Sequence, residues 1–256
     1  PETAEAMRVM AAMRLDELFA IMAEEGLAYG ADLREIYFAG RAAPGFEAAV
    51  ERAYAPERLQ ADFAAAFAAE LAADPAAAAT TEAFYAAPVG QRIIELELLA
   101  RRALLDDDLR EAAEVKAEKM QAARDPRLRA IRRLIEAGDL IEGNTAGSMT
   151  VLAAFSLALN ATAPVALRQS EADVLAGVWA DEARIRADTA EWLFSFMALA
   201  YAPLSDAELK AYGDFLASPA GQVLNRAVLA GSEAALRPAL ADLGREVGLV
   251  LRGRDI

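Results

Sequence analysis

Apolar residues recur along most of the chain at intervals of three and four, the spacing that lines one face of an α-helix. Met10, Met13, Phe19 and Met22 predict a first helix from Glu2 to Glu25, with Gly26 as its stop. A short helix from Asp32 to Phe38 follows, ended by Gly40, and Pro44 opens another with Phe46, Val50 and Tyr54 on one face. Pro56 starts a helix through Phe63, Phe67 and Leu71. Asp74-Pro75 and Asp125-Pro126 each read as an N-cap followed by proline at the first helical position, where its missing N–H costs nothing. Pro88 opens a long helix through Ile93, Leu98 and Leu105, expected to continue through the charged run to Ala123, and the helix after Pro126 stops at Gly138.

The remainder repeats these signals. Ser170 caps a helix expected to reach Ile185, and Trp192, Phe196 and Leu199 form a further apolar stripe. Ser205-Asp206-Ala207-Glu208 is a capping box, which places a helix from Asp206 to Ala217. Ser218-Pro219 then opens a last long helix, expected to break at Pro238. No stretch alternates with period two, and abundant alanine with few β-branched residues points the same way. The expected class is all-α.

The stretch FYAAPVGQRI at Phe84 returns as FLASPAGQVL at Phe215. Phe84, Pro88, Gly90 and Gln91 thereby match Phe215, Pro219, Gly221 and Gln222, while Ser218 stands where the first copy has Ala87. Each residue suits a tight helix–turn–helix corner. The phenylalanine anchors the incoming helix, the proline opens the outgoing one, and the glycine admits close approach. The glutamine can return its amide to carbonyls left open at the preceding helix end. An anion site at the exposed N–H groups is the functional alternative, but neither turn core holds a lysine or arginine. We therefore expect a helical bundle of two diverged copies of a multi-helix unit, 1–124 and 125–256, with the second better preserved.

The segment Leu204 to Leu209 followed by Phe215-Leu216-Ala217-Ser218-Pro219-Ala220-Gly221-Gln222 resembles the signature of an uncharacterised bacterial family, domain of unknown function 2059. Its members carry an acidic helix followed by F-Y-x-S-P-x-G-Q. The first copy matches at Phe84-Tyr85 and Pro88-x-Gly90-Gln91 but lacks the serine and the upstream box. The resemblance implies an all-helical protein exported to the periplasm, and it supplies no catalytic residues. Because the sequence opens on Pro1 without a leader, a removed signal peptide is expected.

Composition narrows the chemistry. The 256 residues carry a formal charge of −14, which disfavours nucleic acid and anionic lipid as partners. With no cysteine and no histidine, thiolate metal sites, Ser-His-Asp triads and histidine zinc sites are excluded. Asp106-Asp107-Asp108 reads as a solvated helix start, not a cation loop, since consecutive helical residues point in different directions. Glu95/Glu97 and Asp181/Glu182 are carboxylate pairs that glycoside hydrolysis could use, but surface charge explains them better. Trp179 and Trp192 are expected in the core. The uncharged segment from Asn144 to Leu167 is expected as a buried helix between the copies, not a membrane span. The expected function is a non-catalytic periplasmic or envelope-associated interaction protein with no cofactor and no metal. The alternative is a carrier of an apolar small molecule or lipid in a groove between the copies, ahead of a carboxylate hydrolase.

Overall fold

The computed structural model describes residues 2–41 and 43–253. Among them the chain forms thirteen α-helices, one 3-10 turn and no strand, so the all-α expectation holds. Helices α1 (Glu2–Ala12) and α2 (Leu15–Phe38) replace the single first helix expected. The break falls at Arg14, which takes a left-handed φ of 53°. Gly26 stops nothing: it lies inside α2, where a Cβ would stand 2.0 Å from the ring of Tyr54.

Prolines open α3 (Pro44–Ala53), α4 (Pro56–Ala72), α5 (Pro75–Ala86) and α6 (Pro88–Ala103) as expected. Helix α6 does not run on to Ala123. Asp106 turns extended and its Oδ1 accepts the N–H of Leu109 at 3.1 Å, starting a separate helix, α7 (Asp107–Ala122). The acidic triplet thus sits at a helix N-terminus, where the dipole favours negative charge.

Asp125 caps α8 (Pro126–Ala137) through a 2.8 Å bond from Arg127 N–H. A left-handed Asp139 then leads into α9 (Leu140–Thr162). A 3-10 turn (Val165–Leu167) and Ser170 introduce α10 (Glu171–Ala180), which ends at Asp181 and not near Ile185. Helix α11 (Glu182–Ala200) follows, then α12 (Asp206–Ala217) with both bonds of its capping box formed. Helix α13 (Pro219–Gly253) runs 35 residues without interruption, so Pro238 does not break it. Ala235, Ala239 and Leu240 are buried on either side of that proline, and their packing offsets the lost backbone bond.

At 1.5 Å per residue α13 is about 50 Å long. It packs most extensively on α9 and α4, and also on α3 and α5. One contiguous apolar core therefore gathers side chains from both spans of the sequence, among them Phe19, Phe67, Ile93, Ile131, Leu134 and Leu243. Helix α9 departs from the buried helix expected. Only Thr145, Met149 and Phe155 are buried along its 23 residues. One side lies so close to α13 that a Cβ at Gly244 would stand 2.1 Å from the carbonyl oxygen of Phe155. The other side is covered only in part, by α10 and α11. By length and composition alone α9 could cross a membrane.

Candidate functional site

The two corners are built alike. Pro88 and Pro219 open α6 and α13, preceded by extended residues at φ −73° and −72°. A Cβ on Gly90 would stand 2.2 Å from the carbonyl oxygen of Phe84, and one on Gly221 2.2 Å from that of Phe215. Gln91 Nε2 donates to Tyr85 O at 2.6 Å, and Gln222 Nε2 donates to Leu216 O at 2.9 Å. Each glutamine also reaches a third helix, a bond the sequence did not reveal: Gln91 to Ala12 O at 2.7 Å and Gln222 to Ala137 O at 2.6 Å. Ser218 Oγ accepts the N–H of Gly221 at 3.1 Å, and Ala87 leaves the first corner without this bond. The corners meet face to face, with the rings of Phe84 and Phe215 stacked at 4.0 Å and 4°.

Behind this contact lies a partly open cavity of about 400 Å³. Its wall draws on both spans of the chain, from Leu18, Phe19 and Phe63 to Phe196, Met197 and Leu236. Tyr85, Leu216 and Gly221 of the corners also face it. Trp192, 42% exposed, stacks on Phe196 at 5.0 Å on the same wall, and Trp179 is 64% exposed elsewhere, so neither tryptophan is a core residue.

One acidic group enters this apolar space. Glu97 follows Ile93 by four residues and Ile94 by three, which puts it on the inward face of α6. Tyr201 Oη donates to Glu97 Oε1 at 2.6 Å, and Tyr212 Oη donates to the same oxygen at 3.2 Å. Burial pushes the Glu97 carboxyl above its usual range, against the opposing pull of the two phenols and of Arg101. Tyr85, Tyr201 and Tyr212 are likewise raised, first by burial and then by the nearby Glu97 charge. Arg101 is occupied, holding Glu25 through Nε at 2.6 Å and Nη2 at 2.9 Å.

Sequence reasoning had grouped Glu97 with Glu95 and missed the tyrosines. Glu95 is exposed, so the pair does not face a common substrate. The overlooked signal was a charged residue on an apolar stripe. Asp181 and Glu182 are held by Arg184 and Arg186. Among the described residues no three acidic side chains gather as a metal site.

Other concavities include two larger grooves. Between α8 and α12 runs a groove of about 760 Å³ lined by Arg129, Arg133 and Lys210 together with Glu136, Asp206 and Asp214. Lys210 is paired with Asp214 and Arg127 with Asp206, while Arg129 and Arg133 have no ion pair among the described residues. A groove of about 660 Å³ between α9 and α10 is lined by Met149, Leu157, Leu175 and Trp179. The smaller cavity behind the corners is the better candidate because it combines apolar walls with a few convergent polar groups. Compared with family models, curated proteins and solved structures, the chain matches none of them.

Proposed function

We propose that the protein binds an apolar small molecule in the cavity between its two halves and acts as a carrier, not as a catalyst. The cavity carries this reading: about 400 Å³ of partly open space walled largely by aromatic, leucine and methionine side chains from both halves. That volume lies within the range of small-molecule sites. Native mass spectrometry of the purified protein should detect a co-purified apolar compound. Val228 also lines the cavity, so filling the space with Val228→Phe should abolish its retention, and unchanged retention would exclude this cavity as the site.

A non-catalytic interaction protein is a second reading with its own support. The α9–α10 side exposes Trp179, Val165 and Leu167 at 64%, 78% and 63%, beside the half-buried α9. Such a cluster suits a protein contact. Trp179→Asp should weaken capture of a partner while leaving the cavity unaffected.

We also propose that the chain is an internal duplication related to the family whose corner motif it resembles, and that it resides in the periplasm. The matching corners support duplication, as do the left-handed Arg14 and Asp139 at equivalent helix junctions. Cell fractionation tests the compartment.

A further inference from the structure

We propose that the cavity selects a compact ammonium group: the ligand is an aliphatic amine whose head pairs with the free oxygen of Glu97. This rests on the carrier reading and names its ligand class. Both phenols, Tyr201 and Tyr212, donate to Oε1. Among the described residues no donor bonds the other oxygen, Oε2, although Glu97 lines the cavity. Glu97 is only partly buried, so Oε2 stays within reach of a ligand head, and a cation there would gain a charge-assisted bond in largely apolar surroundings. Arg101, which also lines the cavity, acts on Glu97 only through space: its Nε and Nη2 bond Glu25, and among the described residues it makes no hydrogen bond to Glu97.

The remaining walls suit the same ligand. Phe19, Phe63, Trp192 and Phe196 offer ring faces, which attract cations as well as alkyl chains. Leu18, Met22 and Leu236 supply aliphatic surface for a chain. A carboxylate head would be repelled by Glu97. A neutral hydroxyl could bond Oε2 but would leave the charge unbalanced. The ammonium head satisfies both the open lone pair and the charge.

The test uses the full chain carrying Trp179→Phe, so that Trp192 on the cavity wall is the sole tryptophan. Its fluorescence is followed while n-octylammonium, n-octanol and octanoate are titrated separately at neutral pH. The amine should bind about tenfold or more tighter than the alcohol, with octanoate weakest. Glu97→Gln, checked for folding by circular dichroism, should erase the amine's advantage and keep alcohol binding. Equal affinities for amine and alcohol, tighter binding of octanoate, or an advantage that survives Glu97→Gln would each overturn the ammonium assignment while leaving the carrier reading standing. If none of the three ligands binds, the carrier reading itself fails. Should Glu97→Gln not fold, the ranking of the three ligands on the parent chain still decides the matter.

Discussion

Phe84 and Phe215 lie parallel, their ring centroids 4.0 Å apart, and so join the end of α5 to the end of α12. Tyr85 packs edge-on against Phe215 at 5.6 Å, and Tyr212 stacks on Phe84 at 6.1 Å. Of these four rings Tyr85 and Tyr212 also line the cavity, and Tyr212 passes the contact on to Glu97. Truncating Phe215 to alanine should cost about 3–5 kcal/mol, as a buried aromatic does. A double-mutant cycle with Phe84→Ala, read by urea unfolding, should show a coupling of about 0.5–1.5 kcal/mol beyond area loss.

Ala87 and Ser218 occupy the same backbone conformation, φ −73°, ψ 156° and φ −72°, ψ 161°. Only the serine caps its helix. Ala87→Ser should therefore stabilise the protein by about 1 kcal/mol, and Ser218→Ala should destabilise it by a similar amount. Thermal melts of the two variants check this, with the midpoints moving in opposite directions.

The corner glutamines each hold two carbonyls from different helices. Gln91→Glu or Gln222→Glu would aim a negative oxygen at acceptors and leave them unpaired. We expect a loss of about 1–3 kcal/mol per site. Denaturant midpoints measure it.

Glycine substitution separates close approach from helix propensity. Gly90→Ala and Gly221→Ala place a Cβ 2.2 Å from a backbone oxygen and should destabilise strongly. Gly147 and Gly177 lie in α9 and α10 with nothing within 4 Å of an added Cβ, so alanine there should stabilise by about 0.5–1 kcal/mol. Four single variants compared by chemical denaturation give the contrast.

Glu97 gives a signed pH dependence. Its carboxyl is raised by burial, so in the folded state it holds its proton more tightly than in the unfolded chain. Its contribution is fully present below the ordinary carboxyl range and is lost as pH rises from there through the folded value. Glu17 and Glu208 act in the opposite sense. Arg14 bonds the first and the Ser205 backbone N–H bonds the second, lowering both carboxyls, so their contribution falls as pH drops. Urea titrations of wild type and Glu97→Gln at a series of pH values isolate the one group. The variant should gain stability relative to wild type as pH rises through that window.

The helix starts were legible because their chemistry is local: Asp74-Pro75, Asp125-Pro126, Ser205 to Glu208 and Ser218-Pro219 each supply an acceptor where backbone donors are free. The breaks at Arg14 and Asp181 carry no glycine or proline and no side-chain cap bond to mark them. Gly26 and Pro238 misled in the reverse direction, since buried neighbours override their tendency to end helices. The corners were readable as architecture, but the partners Ala12 and Ala137 lie 79 and 85 residues from their glutamines and leave no local trace. Glu97 was visible on its stripe, whereas its meeting with Tyr201 and Tyr212 needed α6, α12 and the end of α11 brought together across more than a hundred residues.

The reach of α13 bears on how the molecule is made. During synthesis α3, α4 and α5 emerge long before the helix that covers them. Until Pro219–Gly253 leaves the ribosome, the apolar faces that they turn to α13 stay open to water and to chaperones, so closure of the first-made helices awaits the arrival of that late-emerging rod.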